Sequence, residues 1–217
     1  MKISCANAGK RFNRDWVFRH INYEFSPGNR YAITGPNGSG KSTLLQILAG
    51  AVTASEGAIG YALPVDKEES AALSTIGPDH VYRHISLAAP YLDIVEEMTL
   101  TEFFYFHQTF KPFLPSITVR NIVSSIGLQQ AAGKQIRYYS SGMKQRVRLA
   151  QAIFSHTPCL LLDEPCSNLD LAGIRLYHQL IREYAQDRLI IVSSNDEQEY
   201  SFCEHAINIL DFKLSEP

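Results

Sequence analysis

The amino-acid sequence predicts a mixed α/β fold built on a buried parallel sheet. Two stretches carry that expectation. Residues 30 to 50, RYAITGPNGSGKSTLLQILAG, pass from a strand end through a glycine-rich loop into a short apolar helix that stops at Gly50. Residues 159 to 165, CLLLDEP, set four apolar residues before an acid. That is the pattern of a strand buried on both faces that carries its acid to the carboxyl end of a parallel sheet.

Composition bounds the reading. The chain has 217 residues, 45% hydrophobic and 19% charged, which suits one large globular domain or one with a subdomain inserted. Net charge is −2 and the basic residues are scattered, so there is no electrostatic footprint for nucleic acid. Cys5, Cys159, Cys166 and Cys203 show no metal-ligand spacing and read as reduced, mostly buried thiols. The start, MKISCANAGK, lacks the apolar run of a signal peptide, and nowhere do 18 apolar residues run together. If the chain works in transport, other chains supply the pore.

In the loop, Gly35, Gly40, Lys41 and Ser42 match G-x-x-x-x-G-K-[ST], in the strand–loop–helix setting that pattern needs. Glycines without a Cβ let backbone N–H groups curl around phosphate oxygens, and the positive end of the following helix points at the same phosphates. Gly35, Pro36, Asn37, Gly38, Ser39, Gly40, Lys41, Ser42 and Thr43 form the candidate phosphate cradle. Lys41 can reach the β- and γ-phosphates, and the Ser42 hydroxyl can ligate Mg²⁺. The plain alternative is a flexible Gly/Ser turn, but such a match arises by chance in roughly one chain of this length in a few hundred.

The second stretch is the natural partner of that loop. Asp163 is placed to hold Mg²⁺ through its water shell, and Glu164 to polarise an attacking water; alone, the same strand is equally a core strand with an acidic cap. Between the two lies YYSSGMKQRVRLAQAIF, residues 138 to 154, where Met143, Val147, Ala150 and Phe154 recur at helical spacing. A helix starting near Ser141, preceded by hydroxyls, offers a second anion-binding end or is simply a capped amphipathic helix.

Taken in order, these parts resemble the ATP-binding cassette (ABC) ATPases over nearly the whole chain. GPNGSGKST resembles their Walker A loop and LLLDEP their Walker B strand. YSSGMKQR, residues 139 to 146, is similar to the signature usually written LSGGQ-x-QR. SNLD, residues 167 to 170, stands where their D-loop does, and FCEHAINIL, residues 202 to 210, resembles their closing strand. Phe12 occupies the place of the aromatic that stacks on adenine; Trp16 is a second candidate, and either is also readable as core.

The resemblance implies an α/β P-loop NTPase core of ABC type with an antiparallel β subdomain, from the N-terminal strands and residues 57 to 88, and an inserted helical subdomain over approximately residues 91 to 139. Together these form a single ABC ATPase domain, residues 1 to 217. It implies ATP and Mg²⁺ as cofactors, with Ser42 and Asp163 at the metal and Glu164, Lys41 and Asn195 as catalytic residues. It further implies a homodimer or paired cassette, head to tail, with Ser140, Ser141 and Gly142 meeting the partner's ATP and Asp170 in the D-loop. An integral membrane permease, and a peripheral position on the cytoplasmic face of the membrane, follow from the same resemblance.

Three departures stand out. In the signature, Tyr139 replaces Leu, Ser141 the first Gly and Met143 Gln, while Ser140, Gly142, Gln145 and Arg146 remain. In the strand before the helical insert, HISLAAPY, residues 84 to 91, Pro90 stands where the family carries a glutamine, and no Gln occurs from Ala51 to His107. After the strand in RLIIVSSNDEQ, Asn195 takes the place of the switch histidine, and His178 and His205 are poor substitutes. In the insert, Phe103, Phe104, Tyr105, Phe106, Phe110 and Phe113 are expected to be mostly core. Asp93, Glu96 and Glu97 are expected to be open to basic groups of a partner, or else a solvated acidic loop. The leading reading is the ATPase subunit of an export system, resembling the small haem-exporter type and lacking any appended regulatory domain. The alternative is an ATP-dependent assembly or switch module of a membrane complex, slow or inactive in hydrolysis.

Overall fold

The computed structural model describes residues 1–64 and 73–213. Strands β1 (Lys2–Phe12) and β2 (Asp15–Phe25) form a hairpin turned at Asn13, whose φ of 55° suits an asparagine in a tight turn. Strand β3 (Arg30–Thr34) leads through the glycine loop into helix α1 (Lys41–Leu48), which ends short of Gly50 as expected. Strands β4 (Glu56–Pro64) and β5 (Leu73–Thr75) follow, then a 3-10 turn and strand β6 (Ile85–Ala88). Helices α2 (Leu100–Phe110), α3 (Val119–Ser125) and α4 (Ser141–Ile153) precede strand β7 (Cys159–Asp163). Helix α5 (Leu171–Tyr184), strand β8 (Leu189–Ser193), the single turn α6 (Glu197–Tyr200) and strand β9 (His205–Asn208) complete the order.

The strands form two sheets. One is antiparallel, in the order β2-β1-β4-β5; the other is parallel, in the order β6-β7-β8-β3-β9. This corrects the expectation that residues 57 to 88 all belong to the antiparallel part. Residues 85 to 88 are the edge of the parallel sheet, with Ile85 opposite Cys159 and Ala88 opposite Leu162. The run is short and apolar because helices cover it, and residues 65 to 72 of the expected span lie outside the described residues.

Every residue of β7 and β8 is buried. Alternate side chains divide between two cores, as the period of two requires. Leu160, Leu162, Ile190 and Val192 face α4, α5 and the helical insert, while Cys159, Leu161, Leu189 and Ile191 face α1 and the antiparallel sheet. The parallel order puts the carboxyl ends of β3 and β7 on one edge with β8 between them. The phosphate loop and the acidic pair therefore leave the sheet on the same side.

In the insert, Thr99 with Glu102 and Thr118 with Asn121 form capping boxes that start α2 and α3. Leu100, Phe103, Phe104 and His107 make the inward stripe of α2 at i, i+3, i+4 and i+7. Phe103, Phe104 and Phe113 are core, but Tyr105, Phe106 and Phe110 lie off that stripe and are 54%, 42% and 73% exposed. Only half of the aromatics expected in the core are there.

Candidate active site

Helix α1 opens at Gly40, whose φ is 106°. A Cβ there would sit 2.4 Å from Cγ1 of Val17, so both the backbone and the packing against the antiparallel sheet demand glycine. The buried Lys41 turns its ammonium back onto the loop, donating to the carbonyls of Gly35 at 2.9 Å and Pro36 at 3.1 Å. Two of its three N–H donors brace the loop, and one is left for an incoming oxygen. Gly38, Gly40, Lys41, Ser42, Thr43 and Glu164 line a single cavity of about 250 Å³.

The acidic pair enters from β7, separated from β3 by β8. Asp163 is 1% exposed, and its Oδ1 is buried without a hydrogen-bond partner. Glu164, the next residue, has a φ of 41°, a left-handed conformation that costs a residue with a Cβ. Its N–H donates to the carbonyl of Ser193 at 2.9 Å, and the following turn is tied by Ser167 N–H to the Glu164 carbonyl at 3.1 Å. Glu199 supports that turn from below. Its Oε1 accepts from the Cys166 N–H at 2.8 Å, and burial raises its pKa.

These residues fit a hard divalent cation. Asp163 offers a buried carboxylate oxygen with no donor, and Ser42 adds a hydroxyl in the phosphate cavity. No group of three or more His, Cys, Asp or Glu suited to a metal occurs among the described residues, so phosphate and water would complete the shell.

The amino end of α4 is capped by Ser140, whose Oγ accepts from the Met143 N–H at 3.3 Å. Ser140 and Ser141 are exposed, and neither they nor Gly142 line the phosphate cavity of their own chain. A Cβ on Gly142 would meet the Asn168 carbonyl at 2.9 Å, so this helix end touches the turn after the acidic pair. Gln145 is 1% exposed and donates to the Pro165 carbonyl at 2.8 Å. Asp170 caps α5 by accepting from Gly173 N–H at 2.7 Å, and lies 3.7 Å from the Arg146 guanidinium.

The family model of the ABC transporter matches residues 18–167. The chain belongs to the ABC transporter family. It is an ATPase of that family, on the α/β P-loop fold. An uncharacterized ABC transporter ATP-binding protein, YybJ, of Bacillus subtilis is 29% identical over 95% of this chain and 92% of its own length. The cytochrome c biogenesis ATP-binding export protein CcmA of Xylella fastidiosa is 32% identical over 74% of this chain and 68% of its own. Among solved structures, a dimeric ATP-binding cassette in a post-hydrolysis state with ADP and Pi superposes with a TM-score of 0.76. Its identity is 21%, covering 95% of this chain and 93% of that one. The ATP-binding subunit of an ABC transporter gives 0.78 at 20% identity, covering 96% and 85%.

The cassette's departures have structural causes. Tyr139 is buried, and its hydroxyl donates to the Ala131 carbonyl at 2.7 Å, tying the signature to the helical insert. Asn195 is exposed just past β8, and the preceding Ser194 N–H bonds the Ile33 carbonyl at 3.1 Å, beside the start of the phosphate loop. His178 instead packs its ring near Tyr177 and Phe202, and His205 stacks on Tyr31 at 4.9 Å. Phe12 is 54% exposed with the Lys10 ammonium 5.0 Å from its ring centre. Trp16 is already stacked by the Arg19 guanidinium at 4.1 Å, so Phe12 is the freer of the two aromatics.

Two acids expected to await a partner are paired within the chain. Glu96 binds Lys144 at 2.6 Å, and Glu97 lies 3.6 Å from Arg137. Asp93 remains exposed.

One neighbour of the acidic pair carries no sequence signal. Tyr91, next to Pro90, is 45% exposed overall. Burial first, opposed by the Gln46 hydrogen bond and reinforced by Asp163, pushes its pKa up to about 12.

Proposed function

We propose that this chain is the ATP-binding and ATP-hydrolysing subunit of an exporter. It acts as a single cassette, with its inserted helical part over approximately residues 91 to 139, and drives a separate integral membrane permease from the cytoplasmic face. The observation that carries this is the convergence of Lys41, Ser42 and Glu164 on one cavity at the carboxyl edge of the parallel sheet. No helix among the described residues is long and apolar enough to cross a membrane. The export direction is supported by the export protein among the relatives, and the pairing of two cassettes by the dimeric neighbour.

The residues divide the work as follows. The loop from Gly35 to Thr43 cradles the phosphates, and Phe12 stacks on the adenine. Lys41 directs its spare N–H to the γ-phosphate. Ser42 and Asp163 hold Mg²⁺, which neutralises phosphate charge when bound. Glu164 accepts hydrogen bonding from a water that attacks the γ-phosphorus. The bond from that phosphorus to the β,γ-bridging oxygen breaks, giving ADP and phosphate. Asn195 donates to the γ-phosphate as a neutral amide. Ser140, Ser141 and Gly142, standing outside their own chain's cavity, contact the ATP of a second cassette, and Asp170 holds the D-loop beside it.

Steady-state Mg-ATPase activity of the purified chain beside Glu164→Gln tests this reading. Turnover should fall at least about 10²-fold in the variant, the usual contribution of a positioned proton acceptor. A second reading is favoured by Pro90, which supplies no side-chain oxygen, and by Asn195, which supplies no titratable charge, at the usual stations. In it, ATP binding alone drives assembly of a membrane complex. ATP retained without turnover above the variant, even in membranes with a co-purified polytopic partner, would select that reading.

A further inference from the structure

The segment that carries Asn195 and the turn that follows Glu164 are joined at both ends. At one end the Ser193 carbonyl, last of β8, accepts from the Glu164 N–H at 2.9 Å. At the other, Glu199 in the single turn α6 accepts from the Cys166 N–H on Oε1 at 2.8 Å. The two bonds close a ring. Glu164, Pro165 and Cys166 form one arm, and residues 193 to 199, with Asn195 among them, form the other. Each arm is stiffened within itself. Ser194 Oγ accepts from the Asp196 N–H at 2.9 Å, and Asp196 caps α6. Ser167 N–H bonds the Glu164 carbonyl at 3.1 Å and Leu169 N–H the Cys166 carbonyl at 3.0 Å, which carries the turn into the Asp170 cap of α5. Behind the ring, Tyr177 of α5 donates its hydroxyl to the Glu199 carbonyl at 2.9 Å.

Glu199 is 5% exposed, and its Oε2 is buried without a hydrogen-bond partner. A buried carboxyl with an unpaired oxygen costs more than an apolar side chain of similar size, so packing alone does not account for it. We propose that Glu199 is a positioning residue for hydrolysis: by closing this ring it joins the γ-phosphate contact of Asn195 to the setting of Glu164. The proposal rests on the hydrolytic reading above, in which Asn195 touches the γ-phosphate and Glu164 the attacking water.

The test is steady-state turnover of Glu199→Leu, Asn195→Ala and the double variant, beside wild type and Glu164→Gln, at a temperature below every melting transition. Glu199→Leu removes the acceptor and should lower kcat at least about tenfold, short of the ~10²-fold that a misplacement of about 1 Å costs. KM should not move, because the phosphate cradle is untouched. Glu199→Gln keeps an oxygen for the Cys166 N–H and should retain turnover. In the Asn195→Ala background Glu199→Leu should cost little more, since the two residues act through one link. Glu199→Asp, which withdraws the oxygen by one methylene, stands in if Glu199→Leu does not fold. An unchanged kcat in Glu199→Leu overturns the proposal, as does a Glu199→Gln protein equally slow. So do independent, multiplying effects of the two substitutions, which would mark a purely structural role. Full turnover in Asn195→Ala would remove Asn195 from the reaction and the link with it. If wild type turns over no faster than Glu164→Gln, the hydrolytic reading itself fails, and this inference with it.

Discussion

His107 sits in the last turn of α2, with Nε2 3.0 Å from Ser155 Oγ and its ring 5.3 Å from that of Phe113. The Ser155 hydroxyl already donates to the Gln151 carbonyl at 2.6 Å, so its oxygen accepts from Nε2–H. The neutral tautomer is thereby set, and a second proton would go to Nδ1. Burial first, then the charge of Lys111, depress the His107 pKa to about 4. The folded chain therefore binds fewer protons at this site than the unfolded chain, whose histidine titrates near 6.5. Stability from this group is complete above the unfolded value and is lost as pH falls toward the folded one. Integrating the two titrations from pH 7 to pH 5 gives a loss of about 2 kcal/mol.

For a chain of this size that corresponds to a fall of about 4–8 °C in Tm. The assay is thermal unfolding followed by circular dichroism at pH 7 and pH 5, for wild type and for His107→Gln, which keeps a donor for Ser155. Carboxylates titrate in both proteins, so the difference between their two pH shifts isolates the histidine. Wild type should lose several degrees more than the variant. Equal losses would refute both the neutral tautomer and the depressed pKa.

Two further substitutions probe the site. Gly40→Ala forces a Cβ onto Val17 at a φ of 106°, and should weaken binding of a fluorescent ATP analogue at least about tenfold, from strain of about 1–3 kcal/mol. An unchanged dissociation constant would show that the loop tolerates another conformation. Gln145→Leu strips the buried Pro165 carbonyl of its donor, at a cost of about 1–3 kcal/mol. It should lower Tm by about 2–12 °C in a thermal melt, and a shift under 1 °C would mean that the bond adds nothing.

What was legible in the sequence follows a physical rule. The phosphate loop is readable because its backbone excludes side chains: Gly40 has to be glycine, and Lys41 and Ser42 have to follow it on the first turn of a helix. Strand β7 is readable because a strand buried on both faces must be apolar up to its last residue, Asp163, which precedes the cavity-lining Glu164. Strand β6 is less so, since a short run of three apolar residues and Ser86 fits either sheet until the pairing with β7 is known. The split of the insert's aromatics between core and surface was hidden for a similar reason. Six aromatics within 11 residues satisfy several helical stripes, and packing selects only one.

Helix α4 shows how the separate signals combine into one device. Near its amino end, Gly142 abuts the Asn168 carbonyl and Gln145 holds the Pro165 carbonyl, so it grips the turn that follows Glu164. On another side, Lys144 pairs with Glu96 and Arg148 donates to the Leu92 carbonyl, so it also grips the segment that carries Tyr91. The two gripped segments flank Asp163 and Glu164 from opposite directions along the chain. A rigid displacement of α4 must carry both with it or break these bonds. The retained Gln145, which reads in the sequence as part of the tail of a signature, thus holds the turn that follows the acidic pair.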